Sequence, residues 1–286
     1  MRFLFFLLFS FTSFTSVFCQ LGVDNTAPYV GDLRVNGKQA GSATLLQYKG
    51  DLYLVTAKHV LENNYQGLIN YTFYQTGKPS DAPQSITVRL KSNDKDQYIF
   101  FSESHDLAII HIGFQGEELE NGGYSFNNYS NVRMDIDGNM SGFLENQIWP
   151  YQKLVLGLDA YTIGYPSELE RSNDTKITMS KGIVSGFYPN ALIKCQLPVF
   201  GGNSGGPLFI YSAYSPSEFG QGTIKIGGAM QAYLAGIIVE FVPYIDGSIS
   251  ARGTGFQTVS NSGYAKVEPI DRVTNLIETT VISKRR

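Results

Sequence analysis

The amino-acid sequence predicts an all-β protein, a sandwich or barrel, with a helix near its C-terminus. Short strand-like runs follow one another, with Gly, Asn and Pro between them. Several runs alternate apolar and polar residues, as half-buried strands do, and others are continuously apolar. The length of 286 residues suits two packed β-barrels or one large β domain.

The strand-like runs fall into two groups along the chain. The first group is YVGDLRV, SATLLQY, DLYLVT, QSITVRL, QYIFF and DLAIIHI, and the second is DAYTIGY, KITMSKGIVSGFY, ALIKCQL, YLAGIIVEF and GYAKV. Residues 113–150 separate the groups and are rich in Gly, Asn, Ser and Glu, which is typical of a connection. We therefore expect an N-terminal unit over 20–125, and a connection followed by a C-terminal unit over 126–286.

Two segments carry helix signals. AKHVLE follows the strand-like run DLYLVT directly. PIDRVTNLIET begins with Pro269 and spaces its apolar residues for one face of a helix; these are Ile270, Val273, Leu276 and Ile277. We expect a closing helix at about 269–279.

The first 19 residues have the pattern of a secretory signal peptide. Arg2 precedes the apolar run Phe3–Phe9, and cleavage is expected before Gln20. The sequence thus predicts a secreted protein, extracellular or, in a bacterium, periplasmic, with no membrane association after signal removal. A lipoprotein anchored at Cys19 is disfavoured because Phe18 is bulky, and an uncleaved N-terminal anchor is the remaining alternative.

Charge and cysteine content restrict the classes of partner and of stabilising bond. The formal net charge is −3 and there is no basic block, so we expect no nucleic-acid partner. After signal removal Cys195 is the only cysteine, so the mature chain cannot form an intramolecular disulfide and must depend on burial. Cys195 lies in the apolar run ALIKCQL, which favours a buried free thiol over a reactive one.

The stretch GGNSGGPL, residues 201–208, places Ser204 among four glycines. One interpretation is a tight turn between strands. The other is a loop that presents Ser204 as a nucleophile and aims neighbouring backbone N–H groups at an oxyanion. The second interpretation requires a base and a group that orients it.

Candidates for the base are the three histidines, His59, His105 and His111. No HExxH or other metal-ligand spacing joins them, so we expect neither a metal nor a cofactor. Asp106 begins the otherwise apolar run DLAIIHI, and a carboxylate buried there would need a partner. By itself, Asp106 is better explained as an exposed residue at a turn.

Three motifs together resemble those of the chymotrypsin-like (trypsin-like) serine endopeptidases. TAKHV, DLAII and GNSGGPL occur in that family's order, with His59, then Asp106, then Ser204. The resemblance implies two packed six-stranded antiparallel β-barrels with a C-terminal helix. It also implies a secreted serine endopeptidase that acts on proteins or peptides through an acyl-enzyme, with His59 and Asp106 on the N-terminal barrel and Ser204 on the C-terminal barrel.

The resemblance also implies the residues of the site. Ser204 would be the nucleophile, His59 the general base and Asp106 the group that orients the imidazole, while the N–H groups of Gly202 and Ser204 would bind the oxyanion. The specificity pocket would include four residues: Pro198, Val199, Gly236 and Val239. None of them carries a charge, so we expect an uncharged substrate residue on the acyl side of the scissile bond.

The chain departs from trypsin-type members in two ways: Asn203 stands where they have Asp, and disulfides are absent. The stretches LVLGLDAYTIGYP and KGIVSG are closer to the disulfide-poor branch of high-temperature-requirement proteases and glutamyl endopeptidases. A second class of function is a catalytically inactive or single-partner binding protein on the same scaffold, because fold does not determine function. The presence of all three motifs favours the enzyme.

Overall fold

The structure, a computed structural model, describes residues 26–62, 67–74, 82–90, 98–118, 124–135, 142–167, 177–220, 229–249 and 255–283. The expected signal peptide and its cleavage site lie outside these residues. No helix in the described ranges is long and apolar enough to cross a membrane.

The N-terminal part of the chain forms one sheet of ten strands. The strands are β1 Val30–Val35, β2 Lys38–Tyr48, β3 Asp51–Thr56, β4 Gly67–Phe73, β5 Gln84–Leu90, β6 Ile99–Phe101, β7 Ala108–Glu118, β8 Tyr124–Asn128, β9 Val132–Asp135 and β10 Phe143–Leu144. The order along the sheet is β6-β7-β3-β2-β1-β4-β5-β9, with β8 beside β7 and β10 beside β2. Among the described residues the end strands β6 and β9 do not pair with each other, so this sheet is a half-barrel.

The segment expected to be a connection contributes strands to this sheet. β9 pairs antiparallel with β5, and β10 pairs parallel with β2. In β9 the burial alternates with a buried Val132, as in a strand with one face covered. These strands are short and lie at the margins of the sheet, so they bury few apolar side chains. The resulting low apolar content of residues 113–150 was typical of a connection, and the strands were not predicted.

The C-terminal part forms a closed barrel of six strands. They are β11 Asp159–Gly164, β12 Thr178–Phe187, β13 Ile193–Gln196, β14 Pro207–Ser212, β15 Gln231–Ile249 and β16 Gly255–Pro269. The order around the barrel is β11-β12-β13-β16-β15-β14, with antiparallel pairing between the neighbours. The predicted fold class is confirmed, although the N-terminal barrel has more strands than expected and is not closed.

Both predicted helices are present. Helix α1 spans Lys58–Leu61 and directly follows β3. Helix α2 spans Ile270–Ile277, with Pro269 as its N-cap residue, and continues as a π-helical turn over Glu278–Ile282. The predicted apolar face of α2 is buried in a cluster that contains Val30 and Tyr53 of the first sheet and Phe209 of the second. The helix therefore packs where the two sheets meet.

Cys195 lies in β13 and is fully buried, as the sequence predicted. Burial raises the pKa of its thiol to about 12. A thiol with so high a pKa is almost wholly protonated at neutral pH, and it serves as a small apolar residue of the barrel core.

We predict that the packing of α2 is a major contribution to stability. Ile277 is 0% exposed, so Ile277→Ala should lower the free energy of unfolding by about 2–5 kcal/mol, since it removes apolar contacts and leaves a cavity. Denaturant titration of the mature chain measures this change. Asn275→Ala, on the exposed face of the same helix, is the matched control. Equal unfolding midpoints for the two variants would contradict the packing of α2.

Candidate active site

His59 and Asp106 come together because β3 and β7 are antiparallel neighbours. Thr56, at the end of β3, is opposite Ala108, at the start of β7. Residues just after β3 and just before β7 must therefore lie side by side. His59 Nδ1 is 2.7 Å from Asp106 Oδ2, and the His59 backbone N–H donates to Asp106 Oδ1 at 2.9 Å.

The same contacts shift both pKa values. The hydrogen bond with Asp106 raises the pKa of His59; partial burial opposes this effect, and the charges of Asp106, Glu240 and Glu62 add to it. Burial works against ionisation of Asp106, but hydrogen bonds from the ring and backbone of His59 outweigh it, so the pKa of Asp106 is lowered. The ionised carboxylate accordingly favours the Nδ1–H tautomer, which leaves Nε2 free to accept a proton.

Ser204 lies in the loop between β13 and β14, where two glycines have positive φ. Gly202 has φ 96° and Gly205 has φ 91°. A Cβ on Gly202 would come within 2.4 Å of the Tyr165 carbonyl oxygen, and one on Gly205 within 1.9 Å of the Ser42 carbonyl oxygen. Both backbone conformation and space thus require glycine on either side of Ser204.

The loop is held by buried polar residues of β2, which the sequence analysis did not identify. The Ser42 backbone N–H donates to the Ser204 carbonyl at 2.8 Å, and its hydroxyl donates to the Gly202 carbonyl at 2.8 Å. The Thr44 hydroxyl donates to the Gly205 carbonyl at 3.0 Å. Both side chains are fully buried. The available signal was the pair of hydroxyl residues two positions apart in SATLLQY, which puts them on the same face of one strand.

The groups around the Ser204 hydroxyl suit an acyl-transfer site. The hydroxyl donates to the Val239 carbonyl at 3.3 Å. The backbone N–H groups of Asn203 and Gly205 donate to Phe200 and Ile238. By contrast, the N–H groups of Gly202 and Ser204 have no acceptor among the described residues. Two unpaired N–H groups in the loop that carries a hydroxyl are the donors that an oxyanion requires.

A cavity of about 440 Å³ joins these groups. Its lining includes all the residues predicted for catalysis and the oxyanion: His59, Asp106, Ser204 and Gly202. Of the predicted specificity residues, Val199 and Val239 line it and Pro198 and Gly236 do not. Six further described residues line the cavity: Ala40, Phe200, Gly201, Ile238, Glu240 and Phe241.

The two excluded residues have evident structural environments. Pro198 is exposed to solvent. Gly236 lies in β15, which pairs with both β14 and β16, and a Cβ there would come within 2.5 Å of the Glu268 carbonyl oxygen of β16. Strand pairing thus explains this glycine.

The other histidines do not line the cavity. His111 is buried in the first sheet, where it stacks on Tyr53 and has Nε2 3.7 Å from Asp51 Oδ1. His105 Nδ1 is 3.9 Å from Glu268 Oε2. In the described part of the chain, no group of three or more His, Cys, Asp or Glu side chains is arranged to hold a metal ion.

Comparisons with solved structures show a similar fold. Among solved structures, the chain is similar to one titled "HtrA-type protease AlgW with tripeptide", with TM-score 0.50, 16% identity, and coverage of 92% of this chain and 62% of that one. It is also similar to the serine endoprotease from Yersinia pestis, with TM-score 0.47, 18% identity, and coverage of 92% and 66%. The chain thus spans less than two thirds of the length of either structure. No curated protein sequence matches it.

The family assignment rests on the sequence model of a peptidase domain. The model described as "Trypsin-like peptidase domain" matches residues 41–212. This range is more than half of the chain, and it contains His59, Asp106 and Ser204 together with Ser42 and Thr44 of β2. The chain belongs to the trypsin-like peptidase domain family.

Proposed function

We propose that the protein is a secreted serine endopeptidase that hydrolyses peptide bonds through Ser204, His59 and Asp106. The observation that carries the proposal is the hydrogen-bonded His59–Asp106 pair on the wall of the cavity that also holds Ser204 and two unpaired N–H groups. The family and the fold of HtrA-type proteases support the reaction class. Secretion is supported by the sequence of residues 1–19.

The acylation step begins with the Ser204 hydroxyl. Rotation about χ1 takes this hydroxyl from the Val239 carbonyl toward His59, as the long contacts of unliganded active sites permit. His59 Nε2 accepts the hydroxyl proton while Oγ bonds to the carbonyl carbon of the substrate. The carbonyl oxygen becomes an oxyanion that accepts hydrogen bonds from the N–H groups of Gly202 and Ser204.

The tetrahedral intermediate then collapses, and the same proton serves the leaving group. His59 donates it to the amine nitrogen as the C–N bond breaks, which leaves an ester on Ser204. Water then hydrolyses the ester in the same steps. His59 accepts a proton from water as the water oxygen bonds to the ester carbonyl carbon. His59 then returns the proton to Ser204 as the bond from Oγ to that carbon breaks, which releases the carboxylic acid. Throughout, the Asp106 carboxylate stabilises the imidazolium and fixes its orientation.

The cavity supports an uncharged substrate residue on the acyl side of the scissile bond. Val199 and Val239, the predicted specificity residues that line it, are apolar residues and carry no charge. Among the described lining residues, the one carboxylate besides Asp106 belongs to Glu240, which pairs with Lys266 at 2.7 Å. A charged substrate group set against the valines would lose hydration without gaining a partner.

The catalytic residues are expected to act as one unit. Ser204→Ala and His59→Ala should each remove nearly all amidase activity, and the double variant should lose little more, because either loss stops the same proton transfer. Steady-state hydrolysis and labelling with a fluorophosphonate probe measure this. Ser217→Ala, a serine outside the cavity, is the control and should label normally. Wild-type protein that takes no label would instead indicate an inactive or binding protein.

The acidic limb of the pH–rate profile should report His59. His59 is active when neutral, and its pKa is raised, so kcat/KM should fall as pH drops through a value above the ordinary histidine pKa of about 6.5. Asp106→Asn removes the negative charge and should move this limb to lower pH while lowering the plateau. Equal limbs in the wild type and the variant would refute the role of Asp106.

Cleavage specificity is expected to follow the apolar cavity wall. In a peptide library, the preferred residue on the acyl side of the cut bond should be uncharged, because Val199 and Val239 offer no partner for a charge. Mass spectrometry of the products identifies that residue. A profile dominated by Lys, Arg, Asp or Glu would overturn the assignment.

A further inference from the structure

Glu268 is a buried carboxylate close to Asp106 but far from it in sequence. It is the second-last residue of β16, immediately before Pro269 and α2, and it is 4% exposed. It does not line the cavity. An ionised side chain that is so buried needs compensating hydrogen bonds, so its partners indicate what it does.

Both carboxylate oxygens of Glu268 have partners. Oε1 accepts a hydrogen bond from the backbone N–H of Asp106 at 3.2 Å, across 162 positions of sequence. Oε2 accepts one from Arg272 Nη1, one turn further along α2. Arg272 also donates through Nη2 to the Asn190 carbonyl in the turn between β12 and β13. Glu268 is therefore itself fixed by the C-terminal barrel and its helix.

The Asp106 backbone has few other constraints. β7 begins at Ala108, so Asp106 precedes the sheet ladder. The neighbouring loop is closed by the Ser102 N–H, which donates to Leu107, and by the Ser102 hydroxyl, which accepts from the His105 N–H. Neither bond involves Asp106 itself. The Asp106 carboxylate accepts from the His59 backbone N–H, whereas the acceptor for the backbone N–H of Asp106 among the described residues is Glu268.

From these contacts we infer that Glu268 is a positioning residue: by holding the Asp106 backbone, it sets the Asp106 carboxylate against His59. The inference rests on the proposed peptidase function. Glu268 touches neither the cavity nor the reacting atoms and acts through Asp106. Arg272 supplies its charge partner, so that the C-terminal barrel, which bears Ser204, also fixes the His59–Asp106 pair of the other half.

Glu268→Met tests the inference because methionine fills a similar space and is at most a weak acceptor. The kcat per titrated site should fall about 10- to 100-fold, as displacement of a catalytic group does, with KM nearly unchanged. The acidic limb of kcat/KM should move to lower pH, because a weaker bond with Asp106 lowers the pKa of His59. Glu240 and Glu62, the other carboxylates that raise this pKa, remain in the variant.

Glu268→Gln is the conservative variant and retains an oxygen acceptor for the Asp106 N–H. It should keep kcat within about threefold of the wild type, with the acidic limb in place. Glu278→Met is the matched control and should leave kcat unchanged. Glu278 also joins the C-terminal helix to the first sheet, through Tyr48 and Lys49, but it does not line the cavity.

Each outcome of the experiment decides the question. In one outcome, Glu268→Met lowers only the number of titratable active sites and leaves kcat per site normal. That result would show that Glu268 has a purely structural role, and it would overturn the inference. Equal losses in the Met and Gln variants would also overturn it. If Glu268→Met does not fold, the Glu268→Gln variant is the test. A shift of its acidic limb would contradict the positioning role, because glutamine keeps the acceptor for the Asp106 N–H. A wild-type protein without label or activity refutes the proposed function, whereas an active wild type with an equally active Met variant refutes this inference alone.

Discussion

The hydrogen bonds between β2 and the Gly202–Gly205 loop are the interaction on which the arrangement of the site depends. Ser204 comes from one half of the molecule and His59 from the other, so neither half contains a complete site. The backbone N–H and hydroxyl of Ser42 and the hydroxyl of Thr44 hold the carbonyl groups of three loop residues, Gly202, Ser204 and Gly205. Because a buried polar group left without a partner is costly, the loop and β2 fix each other in one register.

A second contact runs in the opposite direction, from the C-terminal half to the N-terminal half. Glu268 and Arg272 belong to β16 and α2, and their hydrogen bonds reach the loop that carries Asp106. Each half thus anchors a loop of the candidate site in the other half. The relative position of Ser204 and the His59–Asp106 pair is then set by packing between the halves, so a disturbance of that packing would alter the site as well as lower the stability.

The seam between the halves is held by burial, since the described residues contain a single free cysteine. The largest cluster of buried side chains combines residues of both sheets with the apolar face of α2. Aromatic pairs add to it, for example Tyr161 stacked on Phe209 at 5.8 Å. A closely packed core of large side chains is hard to deform. It therefore holds the two loops, which are anchored separately, in a fixed position relative to each other. This interface supplies the rigidity that disulfides supply in many secreted proteins.

The sequence by itself predicted most of the strands and both helices, and it selected His59, Asp106 and Ser204 as candidate site residues. Short-range patterns carry this information: period-two burial, the apolar stripe of α2, and glycines where Gly202 and Gly205 require positive φ. Motif order was sufficient to select His59, Asp106 and Ser204 from many similar side chains. The pairing of β9 and β10 with the first sheet was not apparent, because their segment is short of apolar residues.

Only the tertiary structure decided which residues support the site from a distance. Ser42, Thr44 and Glu268 are ordinary polar residues in their own strands. Their respective partners, Gly202, Gly205 and Asp106, lie more than 150 positions away in the sequence. It also separated Val199 and Val239, which line the cavity, from Pro198 and Gly236, which do not. Such roles depend on contacts between residues that are distant in sequence. These contacts form only when the two halves pack together, so the local spacing of residues does not indicate them.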